Sequence, residues 1–279
     1  MLFQDEATAA ITLQTISYYR LKGYWWAMQS DVRNHTFYPN VYFENAVLIY
    51  QFDRKLRAIL FEAVEMVEIS LRAKLIYHLS QRFTGLWYLN NAVIHDTLRQ
   101  TEILTDIFVE FDRSSEVFIA DHKRRFPNLK PDAWKLFEVV SLGLLSKQYK
   151  NLAHQLPEKS LIANEFGLRL HSELSSWLEA INYLRNIIAH HSRIYDRAMV
   201  KFPSDIINPA ANWLLNPPTG YQRKKPYYII SALVYLCNAL NPSHILKDKL
   251  LDLFDDYPTV PINRLGFVGQ WKSEPLWQE

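Results

Sequence analysis

The chain has 279 residues, 49% of them hydrophobic and 22% charged, a composition typical of folded globular proteins and not of disordered or fibrous ones. None of the seven glycines occurs in the spacing of the Gly-rich loops that hold phosphate in nucleotide-binding proteins, which excludes those loops. The single cysteine, Cys237, excludes an internal disulfide framework and any site built from several cysteines. The formal net charge of +2 indicates no particular partner.

No targeting or membrane segment is predicted. The N-terminal residues lack a basic region followed by an apolar core, so we expect no secretory signal. The most apolar stretch is 227–240, about 14 residues, whereas a helix needs about 20 to span a bilayer. We therefore expect a cytoplasmic protein with no membrane partner.

Apolar residues recur every three or four positions along most of the chain, which predicts a protein built almost entirely of helices. The longest stretch covers 47–83, where an apolar stripe from Phe52 to Leu75 indicates one face turned to a core. Gly143 lies inside a predicted helix and indicates close packing there. The predicted helices are 7–29 with a break near Gly23, 47–83, 97–120, 134–152, 172–191, 227–240 and 244–254.

Two segments are predicted to be irregular but packed. Proline punctuates 208–223, a loop in which we expect Trp213, Leu214 and Leu215 to be buried. The tail, 257–279, combines prolines with aromatic residues and is expected to cross the helices as a strap. With no repeat and no flexible linker, the pattern favours one all-α domain.

Positive charge is concentrated in one part of the chain. From Arg185 to Lys225 there are seven Lys or Arg residues against two Asp, so this part carries +5 and the remainder −3. The same part contains two adjacent histidines. This balance indicates an anionic partner, and a solvated basic surface would show the same pattern.

The run 176–197 combines residue types that are unusual on an exposed helix face, where Glu and Lys are favoured. At about 100° per residue, four polar side chains fall within a stripe about 80° wide beside an apolar face. The stripe consists of Asn182, Asn186, His190 and Arg193. Arg185 lies at the margin of the apolar face.

These residue types suit metal-independent cleavage of RNA. Histidine side chains ordinarily titrate near neutral pH, so a histidine at position 190 can exchange a proton with a ribose 2′-hydroxyl or a leaving oxygen. Arg185 can hold the phosphate on which negative charge develops, and Asn186 can orient the phosphate or the histidine. His191 points about 100° away on a continuous helix and is the alternative proton carrier. No further ligand stands at metal-binding spacing from the two histidines, so neither a metal nor a cofactor is expected.

A purely structural interpretation of the same residues stays open. Arg185 could pair with a carboxylate, and His190 could cap the helix C-terminus, where positive charge is favoured. The candidate carboxylates are Glu65, Glu68 and Glu179. Of these, Glu68 is also predicted to form an ion pair within its own helix with Arg72, four residues later.

Five blocks of the sequence, in order, resemble the Abi-like (abortive infection) family of bacterial proteins, a branch of the HEPN superfamily. The resemblance covers roughly residues 10–277, nearly the whole chain. The blocks are ISYYRLKGYWW at 16–26, FDRKLRAILFEAVEMVEISLRAKL at 52–75, PDAWKLFEVVSLGLLSKQYKNL at 131–152, LRNIIAHHSRIYDR at 184–197 and YPTVPINRLGFVGQWKSEPLW at 257–277.

The resemblance implies an all-α, HEPN-type helical bundle with additional helices and an irregular C-terminal strap. It implies a single domain over 1–279, with the HEPN motif region at about 172–200. Arg185 and His190 would be the Arg-x₄₋₆-His pair of the superfamily, with Asn186 as the polar residue after the arginine. His191 also satisfies that spacing.

The function implied by the resemblance is a metal-independent endoribonuclease of a bacterial phage-defence system of the abortive infection or toxin type. A homodimer, an RNA substrate and an inhibitory protein or RNA are the partners it implies. The alternative functions are a non-catalytic RNA-binding module and a protein-interaction factor in phage defence.

Basic residues after the motif are candidate RNA contacts. Arg193 could contact the RNA backbone or pair with Asp196 or Asp205. The short basic run before 227–240 could contact phosphate or be merely solvated. The candidates are Arg193, Arg197, Arg223, Lys224 and Lys225.

Overall fold

A computed structural model gives the structure of the protein and describes residues 1–278. Eleven α-helices account for most of these residues, which confirms the all-α class. They are α1 (Glu6–Thr15), α2 (Tyr18–Trp25), α3 (Phe43–Phe83), α4 (Thr97–Arg113), α5 (Val117–Arg125), α6 (Ala133–Leu136), α7 (Leu142–Lys150), α8 (Pro157–Glu165), α9 (His171–Ala189), α10 (Pro226–Leu240) and α11 (Leu246–Asp256). A small antiparallel hairpin of β1 (Gln29–Asp31) and β2 (Thr36–Phe37) precedes α3.

The long helix α3 is the axis of the fold. Its 41 residues form an unbroken helix of about 60 Å, at about 1.5 Å per residue. The predicted apolar stripe from Phe52 to Leu75 is buried, and α2, α7, α8, α9, α10 and α11 pack against α3. The core therefore surrounds α3 along most of its length.

Three predicted helices are interrupted in the structure. The helix predicted over 7–29 breaks at Ile16 and Ser17, where Ile16 takes an extended backbone, and α2 then continues through Gly23 and ends at Trp25. The helix predicted over 97–120 is divided into α4 and α5. Between them, the hydroxyl of Ser114 accepts a local hydrogen bond from the N–H of Glu116 at 3.2 Å. The segment 134–152, predicted as one helix, forms α6, a 3₁₀ turn and α7. The helix α8 and the hairpin are additional elements that the apolar pattern does not predict.

The C-terminal segment crosses the helices as an irregular strap, as predicted. After α11 it forms short 3₁₀ turns at Ile262–Leu265, Trp271–Ser273 and Pro275–Trp277. Phe267 is buried, with its ring centroid 4.9 Å from that of Tyr227 on α10 and 5.0 Å from that of Phe254 on α11.

The proline-punctuated loop before α10 is held to this strap. Trp213 and Leu214 are buried as expected, but Leu215 is 74% exposed, so its predicted burial is wrong. Leu215 contacts the strap through its backbone, whose N–H donates to the carboxylate of Glu274. Within residues 1–278, no helix is both long enough and apolar enough to cross a membrane.

Candidate functional site

The helix α9 ends earlier than the sequence predicts, and this changes the polar stripe. Its last residue is Ala189, His190 is the C-cap, and His191 has a left-handed backbone with φ of 53°. Arg193 therefore leaves the stripe and folds back, with its Nη1 donating to the carbonyl of Tyr195 at 2.6 Å. The expected stripe of four side chains is a stripe of three on this helix: Asn182, Asn186 and His190.

A buried carboxylate holds the turn that follows α9. The side chain of Asp53, on α3, is fully buried and accepts hydrogen bonds from the N–H groups of Ile194, at 3.2 Å, and Tyr195, at 2.8 Å. It also accepts from the hydroxyl of Tyr24, at 2.7 Å, and from the guanidinium of Arg57. We call Tyr24, Asp53 and Arg57 the buried network.

In the buried network, burial and the charge of Arg57 shift the pKa of Asp53 in opposite directions. Burial raises the pKa of Asp53, while Arg57 and the other three donors favour its ionised form. Burial, followed by the charge of Asp53, raises the pKa of Tyr24 and keeps its hydroxyl a donor. All partners of Asp53 are donors, so the geometry suits a carboxylate.

Two more contacts hold the backbone of the turn, one from Arg20 outside the buried network and one from Arg57 within it. Arg20 on α2 donates to the carbonyl of His191 at 2.8 Å, and Arg57 lies 3.4 Å from the carbonyl of Ser192. The blocks YYRLKGY, FDRKLR and AHHSRIY, which are far apart in the chain, thus meet at the end of α9. Sequence reasoning missed Tyr24, Asp53 and Arg57, because nothing in their local spacing indicates a partner beyond residue 190.

A cleft of about 420 Å³ opens between α4, α7 and α9. Asn182, Arg185 and Asn186 line it from α9. Gly143 on α7 lets the two helices approach, since a Cβ at that position would lie 3.3 Å from the Oδ1 of Asn182. The close packing predicted at Gly143 is confirmed.

Contacts from α3 and α4 hold the start of α7, which forms one wall of the cleft. Arg72 pairs with Glu68 at 3.1 Å, which confirms the predicted ion pair, and donates to the carbonyls of Phe137 and Val140, both at 2.9 Å. The following residue, Ser141, gives its N–H and its hydroxyl to the carboxylate of Glu110, both at 2.8 Å. The start of α7 is therefore held from two sides.

The side chain of Arg185 makes no hydrogen bond or ion pair with the other described residues, although it is half-buried. Of the carboxylates considered for it, Glu68 is taken by Arg72, and Glu179 pairs with Lys150 and with Lys201. The structural interpretation of Arg185 as half of an ion pair is therefore wrong for residues 1–278. Its guanidinium is left to face the cleft.

His190 is exposed and lies one turn beyond Asn186, about 6 Å further along the helix axis. Its backbone N–H donates to the carbonyl of Asn186 at 3.1 Å, so it caps the helix through its backbone. The cleft residues do not include His190, which stands past the end of the cleft. His191 is also exposed, but its left-handed backbone removes it from the helix.

Three of the five predicted RNA contacts have internal partners. Arg223 pairs with Asp205 at 2.9 Å, and Lys225 pairs with Asp196 at 2.7 Å. Arg193 donates to a carbonyl, as described above, and pairs with neither aspartate. The side chains of Arg197, which is half-buried, and Lys224, which is exposed, have no partner within the described chain.

A metal site and a reactive cysteine have little support among the described residues. No group of three or more His, Cys, Asp or Glu side chains in the described residues is arranged to hold a metal ion. Cys237 is buried on α10, and burial raises the pKa of its thiol to about 12, which makes it inert packing.

Comparison with known proteins gives one match. A family model described as Abi-like protein matches residues 11–196. The matched segment begins in α1 and ends at the turn held by Asp53, so it contains Arg185, Asn186 and His190. No curated protein and no solved structure matches the chain significantly.

Proposed function

The chain belongs to the Abi-like protein family, and from that premise we propose that it acts in abortive infection, a bacterial defence against phage, as a metal-independent endoribonuclease of the HEPN type. The observation that carries the proposal is the pairing of two features on α9. Arg185 faces a cleft without an internal partner, and His190 stands exposed one turn beyond Asn186. Arginine and histidine in this arrangement suit a phosphodiester.

His190 is the proton carrier in this proposal. Its neutral imidazole takes the proton of a ribose 2′-hydroxyl, whose oxygen attacks the adjacent phosphorus while the bond from phosphorus to the 5′-oxygen breaks. The 5′-oxygen leaves with a proton from a second histidine, which a homodimer would supply from the other copy. The products are a 2′,3′-cyclic phosphate and a 5′-hydroxyl.

Arg185 and Asn186 act on the phosphate. The Arg185 guanidinium neutralises the charge that develops on the phosphate oxygens, and the amide of Asn186 donates a hydrogen bond to them or orients His190. Because Arg185 is not neutralised by a neighbouring carboxylate, its full charge is available to the phosphate. The buried network supports this site indirectly, since it determines where α9 ends.

The experiment is cleavage of a labelled single-stranded RNA by purified protein in EDTA. We expect His190→Ala and Arg185→Ala each to lower the cleavage rate by about 100-fold or more, the range found for proton carriers and for single oxyanion donors. His191→Ala is the matched control and should retain cleavage. Equal cleavage by wild type and His190→Ala would contradict the proposal.

One observation favours a second candidate, a non-catalytic RNA-binding module. His190 stands outside the cleft that Arg185 and Asn186 line. A binding module of this kind would hold RNA on Arg185 and would bind it equally well with His190→Ala. In the same experiment, bound but intact RNA for both the wild type and His190→Ala would identify this second function.

A further inference from the structure

The cleft beside Arg185 continues as a longer groove. A second cavity of about 340 Å³ shares Gly143, Lys147, Asn182 and Asn186 with the first, so the two form one channel along the contact of α7 and α9. On α9 the channel extends from Glu179 to Asn186, about 10 Å at about 1.5 Å per residue. We call this channel the α7–α9 groove.

The α7–α9 groove is basic. Six cationic and three acidic side chains line it, which gives a formal charge of +3 on a chain whose total is +2. The cations are Arg99, Arg113, Lys147, Lys150, Arg185 and Lys201. The acids are Asp106, Glu110 and Glu179.

Two of the three acidic residues of the groove form ion pairs with its lysines, and the third, Glu110, accepts hydrogen bonds from Ser141. Asp106 pairs with Lys147 at 3.4 Å, and Glu179 pairs with Lys150 and Lys201. The cations of the groove that remain without an acidic partner are the arginines. In the described residues, the side chains of Arg99, Arg113 and Arg185 make no ion pair, although the guanidinium is the group best suited to bidentate phosphate binding.

An aromatic ring accompanies the charges. Tyr183 lines the second cavity and is half-buried, so part of its ring faces the groove. A basic groove with an aromatic surface for base stacking is the usual arrangement for binding a single strand without sequence preference. Two of the C-terminal basic residues are less available to RNA, because Arg223 and Lys225 are paired with Asp205 and Asp196.

We infer that the α7–α9 groove holds single-stranded RNA, with phosphates on Arg99, Arg113 and Arg185 and a base stacked on Tyr183. The inference rests on the proposed function and extends it, since it specifies the form of the substrate and its path to His190. It moves the principal RNA contact from the C-terminal basic residues to α4, α7 and α9.

The test is binding of a fluorescent ten-nucleotide single-stranded RNA in the His190→Ala background, measured by anisotropy over a salt series. Reversing two unpaired arginines, Arg99→Glu with Arg113→Glu, should weaken binding by about tenfold or more. It should also reduce the slope of log affinity against log salt by about 1.4, at about 0.7 per phosphate contact for single strands. Neither arginine has an internal ion pair, so we expect the variant to fold normally, which circular dichroism checks.

The matched control reverses two exposed arginines outside the groove, Arg33 and Arg169, with the same change in net charge. It should change affinity by less than about twofold. Tyr183→Leu should weaken binding by about tenfold, whereas Tyr183→Phe should keep it, because stacking needs the ring and not the hydroxyl.

The outcomes separate this inference from the proposed function. Equal loss in the groove and control variants, no loss in either, or tighter binding of double-stranded RNA overturns the inference. Groove-dependent binding supports the inference even if wild type does not cleave, a result that would overturn the ribonuclease proposal alone. Cleavage that depends on His190 and Arg185 but not on Arg99 or Arg113 would overturn the inference alone.

Discussion

Asp53 is the residue on which the end of α9 most depends. It joins α3 to two backbone N–H groups at Ile194 and Tyr195, and it compensates the buried charge of Arg57. A buried ion pair adds little to stability by comparison with apolar packing, but removing one member leaves the other charge unpaired. Asp53 therefore connects the stability of the fold to the position of His190.

We predict that Asp53→Ala lowers the free energy of unfolding by about 3–5 kcal/mol, because Arg57 is left buried without a counter-charge. RNA cleavage by the folded fraction should fall as well, although Asp53 is too deeply buried to touch RNA. Urea unfolding measures the first effect. Glu65→Ala, an exposed change on the same helix, is the control, and similar stabilities for the two variants would argue against the role of Asp53.

A second residue-scale feature is a group of three histidines beside a buried lysine. The rings of His95 and His154 stack with centroids 4.2 Å apart, and His171 lies 5.4 Å from His154. The charge of Lys159, then burial and His95, lower the pKa of His154. Burial, then Lys159 and His154, lower the pKa of His171.

These shifts predict a loss of stability on acidification. Because the folded pKa values lie below the ordinary value of 6.5, the unfolded chain binds more protons in the interval between the two. Stability therefore falls as the pH drops through 6.5 towards the folded values. We expect the urea midpoint to decrease between pH 7.5 and pH 5.5, and less so in a His154→Gln, His171→Gln variant. An equal decrease in both proteins would show that other groups cause it.

The candidate site could be predicted only in part at the residue scale. Arg185, Asn186 and His190 stand out because their types and spacing are local features of one helix. Asp53 does not, since it holds the turn through main-chain groups about 140 residues away, and any position on a buried helix face would show the same spacing. That Arg185 is unpaired likewise depends on the tertiary structure, because Glu68 and Glu179 form ion pairs with other residues.

At the scale of elements, the contact of α7 with α9 determines the shape of the groove. Gly143 permits this contact, because even a Cβ would press on the amide of Asn182 at 3.3 Å. A β-branched side chain adds two methyl groups in the same place. The helices would have to separate, and the walls of the groove would separate with them.

We predict that Gly143→Val lowers the free energy of unfolding by about 1–3 kcal/mol, the usual cost of overpacking, and weakens RNA binding. Gly143→Ala should have a smaller effect, because only the end of the Asn182 side chain must move. Thermal melts and RNA titrations of both variants measure this. A valine variant as stable as wild type would mean that α7 and α9 do not pack at this glycine as described.

Element boundaries were less predictable than element identity. The apolar pattern located α3, α9, α10 and α11 to within a few residues, because each buries one continuous face. It missed the interruption between α6 and α7, which is held by Arg72 from another helix through carbonyls of Phe137 and Val140. It also missed the break after α4, which a single serine hydroxyl stabilises.

At the scale of the whole molecule, the C-terminal strap packs on α10 and α11. The strap and these two helices lie outside the residues that the family model matches. Glu274 is buried and accepts hydrogen bonds from the N–H groups of Leu215 and Asn216 and from the amide side chain of Asn216. It thereby joins the strap to the proline-punctuated loop. Neither segment lines the α7–α9 groove.

We predict that Glu274→Ala lowers the free energy of unfolding by about 1–3 kcal/mol, since it leaves buried N–H groups without an acceptor. RNA cleavage per folded molecule should not change. Chemical unfolding and cleavage assays on the same preparations separate the two effects. A large loss of cleavage with unchanged stability would indicate that the strap belongs to the site.

At the scale of the whole molecule, the chemistry of the RNA ends shows whether the protein cleaves RNA by the proposed route. Wild-type protein is incubated with a defined single-stranded RNA in EDTA, and the fragments are identified by mass spectrometry. We predict 2′,3′-cyclic phosphate and 5′-hydroxyl ends from wild type and no fragments from His190→Ala. Fragments with 5′-phosphate ends, or the same fragments from His190→Ala, would contradict it.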